Sequence, residues 1–445
     1  MLPEPRQEQL PVSALERRVP GDTDLSIFTT ALPTGGRHRP GPRRRLRVTR
    51  DPRTARLGLR AMPVLLAAVM LTATAACGSS DTAAGGQPVA SAAADGSQLS
   101  LKGVCPAVIR VQSSWYPQVE HAALYQLLGS GSRVDAGKKT VTGPLVASGA
   151  DTGVQLEIRA GGPAIGNQPV SAQMAADPSI TIGMLNSDEL VQQSQAHPLL
   201  GVVTPLEIDP QVIFWDPKAH PDWNTIADIG QTTTKILYFQ NIPFMAYLLG
   251  AGLVRPSQVD PSYDGNPARF VAGGGKIAVQ GYATNEPWAW QHEVRQWGKP
   301  LAYQLVNDTG YPNYANLLAV RPADQPKLDS CLRRLVPIIQ RAQVQFMAKP
   351  GPAVDLIVKA VAAQHGFTYT KALADYAVAT MRSEGIVANG RDRTLGNFQD
   401  DRMQRMIDIL TPIFTGQHQP VKAGLTVNDL VTNRYVDPTI GLPSK

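Results

Sequence analysis

The run "GVVTPLEIDPQVIFW", Gly201 to Trp215, decides how the rest of the chain is read. It contains two β-rich segments with no helical period between them. On either side of it, strand and helix patterns alternate. Upstream come a strand "VCPAVIRVQ" (104–112), a helix "VEHAALYQLLG" (119–129) stopped by Gly129, and a strand "VQLEIRAGG" (154–162). A short helix "VSAQMAA" (170–176), a strand "SITIGML" (179–185) and a helix "DELVQQSQ" (188–195) follow. Downstream the alternation restarts through "TIADI", "KILYF", "PFMAYLLGAGL", "RFVAGGGKIAVQGYA" and "EPWAWQHEVRQWG". A second extended run, "LAYQLVNDTGYPNYANLLAVR" (301–321), precedes a tail that is mostly helix. That tail includes "KLDSCLRRLVPIIQRAQVQFM", "PAVDLIVKAVAAQHG" and "TKALADYAVATMRSEG". Strands alternating with helices imply parallel sheets. Two such units separated by two β-rich crossings imply two α/β domains joined by two hinge strands. No repeat of solenoid length is visible.

The chain has 445 residues, enough for two domains, with a globular 43% of hydrophobic and 18% of charged residues. Its net charge of +6 is unevenly placed. Residues 1–60 hold 13 Arg, no Lys and 6 acids, which leaves 29 basic and 30 acidic residues in the remainder. The body is therefore close to neutral, and a nucleic-acid role loses its main support. The arginine-rich Arg43–Arg60 leads into the uncharged "AMPVLLAAVMLTATAA" (61–76), which has the layout of an export signal and is short for a membrane span. Thr74-Ala75-Ala76 before Cys77 resembles the lipobox of bacterial lipoproteins, with Thr74 where Leu is usual. The resemblance implies a lipidated Cys77 and anchorage at the outer face of the cell membrane. Residues 1–60 read as a disordered leader or a start placed too far upstream, and 77–103 as a lipidated Cys followed by a flexible tether. With Cys77 lipidated, Cys105 and Cys331 remain, either as a disulfide or as two separate buried thiols. The seven His show no metal-ligand spacing, and neither a metal nor a cofactor is expected.

Five segments, in order, carry a resemblance to a known family: "SSWYPQVEHAALYQLLG" (113–129), "PLEIDPQVIFWDPKAHPDWNTIADI" (205–229), "GYATNEPWAW" (281–290), "TGYPNYANLLAVRP" (309–322) and "LTVNDLVTNRYVDPTIGLP" (425–443). The chain resembles the periplasmic solute-binding proteins of ABC importers, in the branch for nitrate, sulfonates, taurine and the thiamine pyrimidine precursor. The resemblance implies the two-lobed periplasmic binding protein fold, type II-like. Lobe one is expected over 104–207 and lobe two over 208–302, with 303–445 returning to complete lobe one. It further implies a monomer that delivers a small solute to a membrane permease, and no enzyme activity. Relatives of this fold that synthesise the pyrimidine use a Schiff-base Lys and a Cys-rich segment not found here. An envelope sensor built on the same clamp is the alternative.

Two departures bear on the ligand. Gln118-Val119-Glu120-His121 stands where the family often has Asn-Thr-Asn-His, and "YFQNIPF" replaces the oxyanion-holding Gly-Ser-Ser turn. Both favour a neutral or cationic heterocycle over a sulfonate or nitrate. Strand ends beside helix starts face the cleft in such folds, which nominates Trp115 and Tyr116 as an aromatic wall and His121 as a polar contact. Glu120 reads as a favourable charge in a first helical turn. Asn186 with Glu189 reads as an Asx variant of a capping box that can also meet a ligand. Gln240 and Asn241 have the same ambiguity. In lobe two Tyr282, Thr284, Asn285 and Glu286 are the candidates, with Thr284 able to cap and Glu286 left to pair with a ligand donor. Tyr311 on the return crossing completes the set.

Overall fold

The structure is a computed structural model that describes residues 90–443. The leader, the apolar run and Cys77 lie outside the described residues. Two sheets form two lobes. The lobe-one sheet has the spatial order 133–135, 140–147, 150–159, 108–112, 182–185, 317–320, 200–203. The lobe-two sheet has the order 259–260, 236–237, 278–282, 211–215, 302–305. The chain passes between lobes after Val203 and again after Leu305, at the two β-rich crossings. Strand Ala302–Leu305 pairs with Gln211–Trp215 and extends lobe two three residues past the expected boundary.

The sheets are mixed, where alternation predicted parallel ones. Ala278–Tyr282 and Ala302–Leu305 run antiparallel to Gln211–Trp215, and Leu317–Val320 runs antiparallel to both of its neighbours. A strand that enters a lobe directly from the other, with no crossover helix to bring the chain back to its starting edge, arrives in the opposite direction. A hairpin, Thr140–Ala147 with Ala150–Arg159, adds further antiparallel pairing. Its two-residue turn, Ser148-Gly149 at φ 50° and 81°, has the positive φ at both positions that a type I′ hairpin requires.

Two local expectations change. The helix expected over 119–129 is one turn of 3-10 helix, Val119–His121, followed by Ala122–Tyr125. Sheet bonding ends it early: Val146 N donates to the Leu127 carbonyl, and Leu128 bridges Leu145. The tether expected to reach residue 103 is already part of lobe one. Ser91–Ala92 pairs with Ala150–Asp151, Leu101 N donates to the Thr152 carbonyl, and Leu101 is fully buried. Cys105 and Cys331 form a disulfide across 226 residues of sequence, which resolves the alternative of separate thiols. It fastens the entry to strand Val108–Gln112 onto helix Gln325–Ala348.

Helix Asp400–Gly416 joins the lobes. Met403, Met406, Ile407, Leu410 and Phe414 recur at helical spacing and form one buried face. That face belongs to a core containing Leu190 and Val191 of lobe one together with Phe244, Met245 and Leu248 of lobe two. At the helix start, Arg402 donates to the carbonyls of Pro312 and Asn313 and to Glu207, and stacks 3.6 Å from the Tyr314 ring. One guanidinium thereby holds both crossings, Glu207 on the first and residues 312–314 on the second.

Candidate functional site

The candidate site lies where the strand ends of lobe one meet the helix starts of lobe two. Strand Val108–Gln112 ends in Ser113-Ser114-Trp115, fixed by Ser113 Oγ donating to the Trp115 and Arg159 carbonyls at 2.7 Å each. Gly161 and Gly162 let this turn close: a Cβ on Gly161 would sit 1.9 Å from the Ser113 carbonyl, and one on Gly162 would sit 2.3 Å from the Trp115 ring. The Trp115 indole reaches lobe two and lies 5.5 Å from Phe239, which lies 4.9 Å from Tyr263. Three aromatic rings thus span the seam. Tyr116 turns the other way. It packs against Phe367 and Gly366, and its hydroxyl accepts from Lys139 Nζ at 2.9 Å. The expected two-residue wall is Trp115 of lobe one facing Phe239 and Tyr263 of lobe two.

Glu120 and His121 are both buried in lobe one. Thr284 Oγ1 of lobe two donates to Glu120 Oε1, so the capping role expected of Thr284 is given up for a bond between lobes. Glu120 Oε2 and both ring nitrogens of His121 have no hydrogen-bond partner. Burial raises the Glu120 pKa and lowers that of His121 to about 3, which leaves the imidazole neutral. In lobe two, Glu286 opens helix Glu286–His292 and accepts from Tyr282 N at 2.7 Å. Its carboxylate is tucked against Gly281, and burial pushes its pKa up to about 7. Asn285 occupies the helix cap with no side-chain bond. The Tyr282 phenol lies among Asp209, Glu120, Asp188 and Asn186.

Asn186 does not cap the helix that follows it. Its Oδ1 accepts from Asn316 N, while Glu189 accepts from Ser171 N and Oγ. The expected capping box is absent because the return crossing and helix Val170–Ala176 claim both side chains. Ser114 Oγ donates to Asn316 Oδ1, and Asn316 Nδ2 is buried with no partner. Gln240 and Asn241 are exposed and line an open pocket of about 240 Å³ with Gln192, Phe414 and Gln419. Tyr311 is buried in the hinge, stacked on Tyr247 at 4.6 Å, with its hydroxyl donating to Asp188.

The structure therefore brings Trp115, His121, Asn186, Tyr282, Thr284 and Glu286 to the seam between lobes and sets Tyr116, Gln240, Asn241 and Tyr311 elsewhere. It adds Glu120, Phe239, Tyr263 and Asn316. A signal for Glu120 was present in the sequence: it is the one Asp, Glu, Lys or Arg between Val111 and Ser132.

No family profile matches the sequence, and no curated protein does. Among solved structures, the chain is similar to the periplasmic aliphatic sulphonate binding protein SsuA from Escherichia coli. Identity there is 12%, coverage 77% of this chain and 95% of that one, and the TM-score 0.47. It is similar also to the alkanesulfonate-binding protein SsuA from Xanthomonas axonopodis pv. citri bound to MOPS, at 13% identity, 74% and 99% coverage and a TM-score of 0.46. A third is the ligand-binding component of an ABC-type import system from Staphylococcus aureus with zinc bound, at 12% identity, 74% and 97% coverage and a TM-score of 0.46.

Proposed function

We propose that the chain is a solute-binding protein: a two-lobed clamp that captures a small solute between its lobes and presents it to a membrane importer. The observation that carries this reading is the seam itself. Two α/β lobes joined by two crossings meet through Trp115–Phe239 and Glu120–Thr284, while Glu120 Oε2, both His121 nitrogens, Tyr263 Oη and Asn316 Nδ2 are buried with no partner. Buried polar atoms cost about 1–3 kcal/mol each when left unpaired, so such atoms on residues beside the lobe–lobe contacts support a surface whose partner is a ligand. Hinge motion about two crossings would open and close it.

A neutral or cationic heterocycle such as a pyrimidine precursor is the favoured solute, and a sulfonate, taurine or nitrate the less favoured one. The rings supply stacking faces, and the polar groups nearest them include two carboxyls. The export layout of residues 43–76 and the position of Cys77 support a lipoprotein anchored outside the cell membrane, acting as a monomer beside a permease.

The test is a thermal-shift panel on the full chain with aminopyrimidines, riboflavin, polyamines, taurine, alkylsulfonates and nitrate. A ligand at a hundredfold excess over its Kd stabilises by about 2.7 kcal/mol, which moves a melting curve visibly. Silence across the panel counts against delivery of these solutes to an importer and favours the envelope sensor built on the same clamp.

A further inference from the structure

The two carboxyls at the seam are held differently. Glu286 belongs to its own helix start, with Oε2 accepting Tyr282 N. Glu120 reaches across from lobe one, spends one oxygen on Thr284 and keeps the other buried and unpartnered. The residue is 3% exposed. Resting on the clamp reading, we infer that Glu120 selects the solute by charge: the cleft takes a cationic nitrogen, such as an amidinium or a pyridinium-type ring, and releases the Glu120 proton to water when the cation binds.

The groups that face Glu120 leave it without a counter-ion. On its own turn His121 is neutral and unpartnered. From the segment before helix Lys371–Ser383 comes Tyr369, whose hydroxyl accepts Val119 N. From lobe two come Thr284, the Tyr282 phenol and the Glu286 carboxyl. None of the effects acting on Glu120 comes from a lysine or arginine. Closed without a ligand, the seam can hold Glu120 only as a neutral acid, because an isolated carboxylate there is too costly. Closed around a cation, Glu120 has its counter-charge in place, and the Trp115, Phe239 and Tyr263 rings offer faces to the same cation. An anion would meet two carboxyls and no fixed positive charge among these groups. The proton balance is simple: neutral Glu120 plus cation gives an ion pair and one released proton.

The experiment is isothermal titration of the full chain with N-methylpyridinium, benzamidinium, neutral 2-methylpyrimidine and methanesulfonate at pH 6 and pH 8. The pyridinium charge is permanent, so any pH dependence belongs to the protein. Its affinity is expected to be at least tenfold weaker at pH 6, with a binding heat that changes with the buffer as a proton is released. Glu120→Gln, nearly isosteric and checked by its melting curve, is expected to lower pyridinium affinity at least tenfold and to erase the pH dependence. Equal affinity at both pH values, or an unchanged Kd in Glu120→Gln, overturns the inference. A preference for methanesulfonate or the neutral ring overturns it too, while leaving the clamp standing. No heat with any of the four probes also overturns it, and the solute-delivery reading falls with it only if the broad thermal-shift panel is silent as well.

Discussion

Of the buried acidic sites among the described residues, the one at the hinge and the one at the seam differ in how completely their atoms are paired. At the hinge, Asp188 of lobe one and Asp209 of the first crossing meet across Asn313 of the second. Asn313 Nδ2 donates to both carboxyls, at 3.2 and 2.7 Å, while its Oδ1 accepts from Ser187 Oγ and Asp188 N. Tyr311 donates to Asp188, and the backbone N–H groups of Glu189 and Gln211 take the remaining oxygens. Every carboxyl oxygen there has a partner. At the seam, Glu120 and His121 are equally buried, yet three of their polar atoms have none. A fully satisfied network specifies one arrangement of the crossings. A partly satisfied one is complete only when something else arrives.

The comparison breaks most easily at Asn313. Asn313→Leu removes four hydrogen bonds and leaves Asp209 Oδ2, the Ser187 hydroxyl proton and Asp188 N buried without a partner. A loss of about 3–5 kcal/mol is expected in urea unfolding. A loss under 1 kcal/mol would mean that the hinge pair is not the constraint its geometry suggests. Arg402→Met comes next, at about 2–4 kcal/mol, because it strips Glu207 of its partner and both crossings of their common clasp. Urea midpoints of the two variants and the double mutant would show coupling, since Arg402 donates to the backbone of Asn313 itself.

The third test uses pH. Burial, helped by the neighbouring Asp209 carboxyl, pushes Asp188 up to about 7, and burial pushes Asp209 up to about 6. Both lie above the ordinary Asp value, so the folded chain holds protons that the unfolded chain has lost. Stability from these groups is fully present below about pH 4 and falls as pH rises through 6 to 7. His121 acts in the opposite sense: depressed to about 3, it loses stability as pH falls from the ordinary His range toward that value. Two acids against one imidazole, with Glu286 adding to the acids, give a net gain on going from pH 7.5 to pH 5, each proton contributing up to about 1.4 kcal/mol per pH unit. Unfolding at the two pH values checks it, and Asp188→Asn should flatten the slope.

How much of this was legible beforehand follows from distance along the chain. The two crossings could be read because the absence of a helix over Gly201–Trp215 is a local property. The antiparallel pairing of the crossing strands could not, since direction depends on which edge the chain reaches. The hinge network joins residues 125 apart and the Glu120–Thr284 bond residues 164 apart, and no spacing rule connects them. Tyr116 and Trp115 are neighbours on an irregular turn, where neither period assigns a face. Glu120 looked like a helix-start charge because spacing reports position and not burial.

The smallest expected effect is the sharpest test of the difference between the two sites. His121 is fully buried with both nitrogens unpaired, so replacing it removes a desolvation cost and breaks no bond. His121→Leu, close in volume, should leave unfolding stability unchanged or raise it by up to about 1 kcal/mol. The same kind of polar-to-apolar exchange at Asn313 should cost several kcal/mol. Opposite signs for two buried polar residues in one molecule would mark the seam as the place where stability is given up for ligand contact. If His121→Leu also costs 2 kcal/mol or more, a partner for the imidazole, such as an ordered water, is present in the folded protein. The seam would then be a structural network like the hinge, and Glu120 would be the atom set that needs the same scrutiny next.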